Sequence, residues 1–160
     1  MPSGQVQRRL AGTIVRLSRE YSTPVFKPHL TLLGRIVGPR DEVLAKFAQL
    51  ARRLRPFTIR LRVVDGLDEF YRCLFIRAAK TGPLMRAHLA ARRTYNLPGR
   101  AAYMPHLSLM YGDFSANVKE KIIGKLGGRF ALRFEVRSLH LYSTTGQPRY
   151  WRQVGRFHLK

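Results

Sequence analysis

Two short strings repeat one pattern: Pro28-His29-Leu30-Thr31-Leu32 and Pro105-His106-Leu107-Ser108-Leu109. In an extended chain successive side chains alternate faces, so His29 and Thr31 project together while Leu30 and Leu32 turn to the other side. His106 and Ser108 do the same. Only five histidines occur in the chain, and two of them share this setting. Imidazole titrates near neutrality and can either take or give a proton. Two of them can therefore supply a general base and a general acid in one reaction. Hydroxyls and backbone N–H groups suit the oxygens on which charge builds.

Metal-free cleavage of a phosphodiester uses all four side chains. Other chemistries fit less well. Neither string has a carboxylate or second histidine at metal-ligand spacing, and no Gly-rich phosphate loop precedes a helix. A Ser–His–Asp arrangement is disfavoured because Ser108 shares a strand face with His106 and no orienting acid is evident.

The elements that must position these residues are themselves duplicated. The stretch 3–34 runs from Ser3-Gly4 through a helical pattern to the first histidine string and Gly34, and 81–112 runs from Thr81-Gly82 to the second and Gly112. The histidines lie 77 residues apart and the closing glycines 78. Two helix–loop–strand units related by a pseudo-twofold axis would bring the histidine pairs face to face across a cleft. Helices are expected over about 4–20, with Leu10, Ile14 and Leu17 inward, over about 40–53 with Asp41 as cap, over about 83–95, and from Ala116 (capped by Ser115) to about 126. Strands are expected over His29–Val37, over Phe57–Val64 with Phe57, Ile59, Leu61 and Val63 on the buried side, and over Phe70–Ala78, His106–Tyr111, Phe130–Tyr142 and Tyr150–Leu159.

Helices and strands mix without strict alternation. That predicts an α+β fold of two lobes, with largely antiparallel sheets facing a central cleft and helices outside. Residues 1–160 read as one domain built around the two repeats, with no linker to divide it. The first repeat has no counterpart of the strand Phe70–Ala78: Met1-Pro2-Ser3-Gly4 leads straight into a helix, so a first strand is missing. Such a loss would leave an unpaired sheet edge.

A hydrophobic content of 45% is ordinary for a globular chain, but thirty basic residues against nine acids give a net charge of +21. Such an excess attracts polyanions, and a nucleic-acid or ribonucleoprotein partner is the expectation. Arg60 and Arg62, sharing a strand face, and Arg100, in the loop before the second string, are the candidate nucleic-acid contacts. Phe26 and Tyr103 precede the two strings; each either stacks a base or, the preferred reading, packs against its loop. His88, His140 and His158 fall outside the strings and are read as structural or surface residues. Cys73 is the sole cysteine, so there is no disulfide, and its apolar setting suits a buried thiol. No membrane span or secretory signal is visible. An intracellular, cytoplasmic protein is expected. The mitochondrion is the alternative, because Gln5–Arg19 is acid-free with four arginines.

The paired strings resemble those of the 2H (two-histidine) phosphoesterases, marked by a His-x-Thr/Ser motif on a central strand of each lobe. The segments Tyr21-Ser22-Thr23-Pro24 to Gly34 and Tyr103 to Gly112 most resemble the cyclic phosphodiesterases, and the likeness covers nearly the whole chain. It implies a 2′,3′-cyclic nucleotide, an RNA 2′,3′-cyclic phosphate end or an ADP-ribose 1″,2″-cyclic phosphate as substrate, opened by water without cofactor. It further implies His29 and His106 as the acid–base pair, with either in either role, and Thr31, Ser108 and Tyr111 at the phosphate. Family members usually begin with a hydrophobic strand before the first helix, and this chain departs there. A second reading, from the charge and the missing strand, is a non-catalytic or weakly active RNA-binding component that keeps the fold. An RNA end-joining enzyme would share the same motif.

Overall fold

The computed structural model describes residues 1–97 and 102–160. Four helices form: α1 Gly4–Tyr21, α2 Arg40–Arg53, α3 Gly82–Thr94 and α4 Ala116–Leu126. Six strands accompany them: β1 Phe57–Asp65, β2 Leu74–Ala78, β3 His106–Met110, β4 Arg129–Val136, β5 Ser138–Ser143 and β6 Arg152–His158. In α1 the buried residues Leu10, Ile14 and Leu17 recur at helical spacing and form the inward stripe. Helix α2 starts at Arg40, with Pro39 rather than Asp41 at the cap position. Asp41 and Glu42 instead lie in its first turn and Arg52 and Arg53 in its last, complementing the helix dipole at both ends. Gly127 ends α4 in the left-handed region at φ 84°, which glycine adopts without steric cost.

Sheet order is β3-β2-β1-β4 in a four-stranded antiparallel sheet, with β5-β6 forming a second, two-stranded one. Helix α1 packs on β3 and β4, and α4 on β1; α2 covers β5 and β6 and touches α3. One cluster, including Leu10, Ile14, Leu61, Leu107 and Phe134, fills the space under the larger sheet. A smaller one of Phe47, Leu50, Ala51, Ala91 and Leu139 lies under the other.

Four strand expectations change. His29–Val37 is not a strand: its one ladder contact is the antiparallel bridge Leu30–Leu107. Alternation of apolar residues permits a strand there, but a ladder also needs a partner edge. Phe70–Arg72 is a single 3-10 turn, and the strand begins only at Leu74. The expected strand Phe130–Tyr142 breaks at Arg137 and passes from one sheet to the other. In β1 a register shift after Leu61 inverts the alternation, so Val64 is buried and Val63 is 43% exposed.

In the second unit β2 precedes α3 and sits between β3 and β1. Before α1 the described residues contain no strand, and β5 pairs with β6 alone.

Candidate active site

The bridge between Leu30 and Leu107 decides the geometry of the site. An antiparallel pair in that register puts His29 beside Ser108 and Thr31 beside His106. All four then lie on the face opposite the two leucines. The motifs therefore meet side by side on adjoining segments, not across a gap between two lobes. A local twofold relates antiparallel neighbours, which is why a duplicated string can build one compact site.

Both imidazoles are held in the same way. His29 Nδ1 donates to the Lys27 carbonyl at 2.7 Å, and His106 Nδ1 donates to the Met104 carbonyl at 2.9 Å. A ring whose Nδ1–H is committed to a carbonyl keeps its lone pair on Nε2 when neutral. Among the described residues neither Nε2 has a hydrogen-bond partner, and both rings line the same cavity of about 1620 Å³. Burial lowers the pKa of His29 below 6.5; the Lys27 carbonyl opposes this, while the amino terminus and His106 reinforce it. Burial also lowers His106, the Met104 carbonyl opposes, and Arg72 and Arg77 push it further down.

Ser108 and Tyr111 line this cavity with the histidines, as does Thr31, whose side chain is exposed. The Ser108 hydroxyl donates to the Tyr71 carbonyl at 3.1 Å. Tyr111 is 2% exposed and stacks on Phe26 with centroids 3.9 Å apart. Burial raises its pKa, with the neighbouring Ser108 hydroxyl acting the other way, so the phenol is a neutral donor. The cavity wall among the described residues holds Lys27, Arg35, Arg40, Arg72, Arg149 and Arg152 but no Asp or Glu.

The segment of the first motif is held by side chains where a strand ladder would otherwise hold it. Tyr103 donates its hydroxyl to the Thr31 carbonyl at 3.0 Å, and His88 Nδ1 donates to the Leu32 carbonyl at 2.8 Å. The Tyr103 ring stacks on His88 at 3.8 Å with an interplanar angle of 4°. Tyr103 and Phe26 are thus occupied in packing, though on His88 and Tyr111 rather than on their own loops, and His88 fixes the first motif from α3. Sequence reasoning had no signal for the His88 bond, since it joins residues 56 apart.

Two aromatic residues at the site were also missed. Tyr71, 51% exposed, and Trp151 lie 5.9 Å apart between centroids, and Trp151 is 6.3 Å from the His29 ring. Tyr71 sits in the 3-10 turn that replaced the expected strand, so its direction could not be read from alternation. Arg60 and Arg62 are exposed on β1, on the sheet face that carries His106, and do not line the cavity. Arg100 lies outside the described residues.

A family model described as the 2'-5' RNA ligase superfamily matches residues 3–148. The chain belongs to that superfamily. Its paired His-x-Thr/Ser motifs make it a 2H phosphoesterase of the cyclic-phosphodiesterase-like kind. The chain is 26% identical over 148 residues to a cyclic phosphodiesterase of Arabidopsis thaliana, covering 90% of this chain and 82% of that protein. Two solved structures share the 2H fold. TT0787 of Thermus thermophilus aligns with TM-score 0.68 at 21% identity, over 97% of this chain and 92% of that one. E. coli LigT, solved with 3'-AMP, aligns with TM-score 0.66 at 16% identity, over 94% and 91%.

Proposed function

We propose that this 2H protein hydrolyses a cyclic phosphodiester of a ribonucleotide without metal, using His29 and His106 as its acid–base pair. The observation that carries the reading is the matched tethering of the two imidazoles. Each has Nδ1 on the carbonyl two residues back, and each presents Nε2 to one cavity. The similarity to the Arabidopsis cyclic phosphodiesterase points to the same chemistry.

In the reaction one neutral imidazole accepts a proton from water as its oxygen bonds to phosphorus. The other, protonated, gives its proton to the ribose oxygen as the P–O bond to it breaks, and the ring opens to a phosphomonoester. Thr31 and Tyr111 donate to the non-bridging oxygens as charge develops, Ser108 joins them by turning its hydroxyl from the Tyr71 carbonyl to the phosphate, and the cationic wall adds to that field. Tyr71 and Trp151 offer aromatic surface to the base.

Turnover of a 2',3'-cyclic nucleotide in EDTA, wild type beside His29→Ala and His106→Ala, tests the proposal. Each variant is expected to lose about 10²–10⁴-fold in kcat. Activity that EDTA removes, or that survives in the folded alanine variants, overturns it.

A further inference from the structure

The face of the larger sheet that carries His106 and Ser108 continues outward as a field of arginines. Strand register fixes which residues share it. Arg77 of β2 is opposite His106, Arg60 of β1 is opposite Arg133 of β4, and Arg129 is opposite Val63. Leu61 opposes Ala78 on the core side, so its neighbours Arg60 and Arg62 lie on the same face as Arg77. Two carboxylates share the face, and both are already paired: Asp65 with Arg77, and Glu135 with Arg137. Among the described residues the side chains of Arg60, Arg62, Arg129 and Arg133 have neither ion-pair nor hydrogen-bond partner.

Arg60 directly opposite Arg133 is the telling pair. Like charges at cross-strand positions destabilise a sheet, and a single acid at either place would relieve the repulsion. An anionic partner relieves it as well. From β3 to β4 is three strand spacings, about 14 Å, so the arginine field begins within reach of the two-histidine site. It is too far out for the phosphate of a mononucleotide seated at His106.

We propose that this face is a docking track for the backbone of a single-stranded polyribonucleotide whose cyclised end enters the two-histidine site. The assignment of an RNA end rests on the cyclic-phosphodiester reading; the track itself rests on the arginines. Under it the substrate is an RNA strand in preference to a free cyclic nucleotide. The strand's phosphates lie along Arg60, Arg133, Arg62 and Arg129, and its terminal base lies near Tyr71 and Trp151.

The test is fluorescence anisotropy of a labelled ten-nucleotide RNA bearing a 3'-phosphate, which cannot be turned over, so binding is read whether or not the chain hydrolyses anything. Arg60→Glu/Arg133→Glu is compared with Arg8→Glu/Arg16→Glu, an equal change of net charge on exposed positions of α1, which packs against the opposite face of the sheet. The track variant is expected to bind at least tenfold more weakly than wild type, the α1 variant to stay close to wild type. The slope of log K against log salt should flatten by about 0.7 for each phosphate that the variant no longer neutralises. The single variant R133E keeps the test sound should the double variant fold poorly. It places opposite charges across the strands, so it should melt higher than wild type while binding RNA less. Equal losses in the track and α1 variants, or competition by poly-glutamate as effective as RNA, would overturn the track. Loss of binding only in the track variant supports it even where cyclic-nucleotide turnover fails.

Discussion

His29 and His106 are alike in motif, in tether and in the direction of their pKa shifts, and the proposed chemistry asks them to differ. One must be neutral while the other holds a proton, and their titrations belong to the pair. Because burial lowers both below 6.5, kcat/KM should peak on the acid side of 6.5. On the alkaline side the acid loses its proton; further down the base gains one. A bell-shaped profile measured with the cyclic nucleotide checks this, and an optimum on the alkaline side of 6.5 would contradict it. Stability follows the same sign. A group with a depressed folded pKa stabilises above its unfolded value and loses that contribution as pH falls through the folded pKa. Urea midpoints should therefore drop below pH 6.5, less steeply in His106→Ala than in wild type. Tyr111→Phe keeps the stack on Phe26 but removes the hydroxyl. It should lower kcat about tenfold or more with little change in melting, as expected for a hydrogen bond to developing charge.

At the scale of elements, the first motif hangs on α3 and the loop before β3. His88→Ala removes the donor to the Leu32 carbonyl and the ring under Tyr103. It leaves a part-buried carbonyl without its donor, at about 1 kcal/mol, the lower end of the cost of an unpaired buried group. The expected signature is a fall in kcat with KM little changed, together with partial rescue by His88→Asn, whose amide can donate to the same carbonyl. If both variants lose activity only in proportion to the fraction unfolded, the contact does not position the motif. Leu107 is fully buried on β3 and bridges Leu30. Leu107→Ala should cost about 2–5 kcal/mol in urea denaturation and should also disturb the motif pairing. On the far side of β1, Arg133→Glu should raise stability by about 0.2–1 kcal/mol, because it exchanges a like-charge cross-strand pair for an opposite one.

For the whole molecule, a net charge of +21 on 160 residues sets a repulsive field. Added salt shortens the reach of that field. The melting temperature of the free protein should therefore rise between low and moderate salt, while RNA affinity falls over the same range. A protein whose charge were evenly matched would show neither trend. The described residues contain no helix long and apolar enough to cross a membrane.

The sequence alone was enough to read the chemistry-bearing pairs, because His29/Thr31 and His106/Ser108 are spaced within a few residues and that spacing is local. It was enough for α1, whose stripe of Leu10, Ile14 and Leu17 follows helical periodicity, and for the span of α4 from Ala116 to about 126. It also carried the excess of positive charge. What it could not decide was every feature set by a partner strand or a distant side chain. Alternation made His29–Val37 look like a strand, but ladder pairing depends on a neighbouring edge, and there only Leu30 finds one. The shift in β1 that exposes Val63 and the break at Arg137 arise from register between strands. The adjacency of the two motifs, the tethering of Leu32 by His88 and the placing of Tyr71 beside Trp151 all join residues far apart in the chain. Local spacing names the reacting groups, whereas long-range pairing, which depends on how the two halves close on each other, places them.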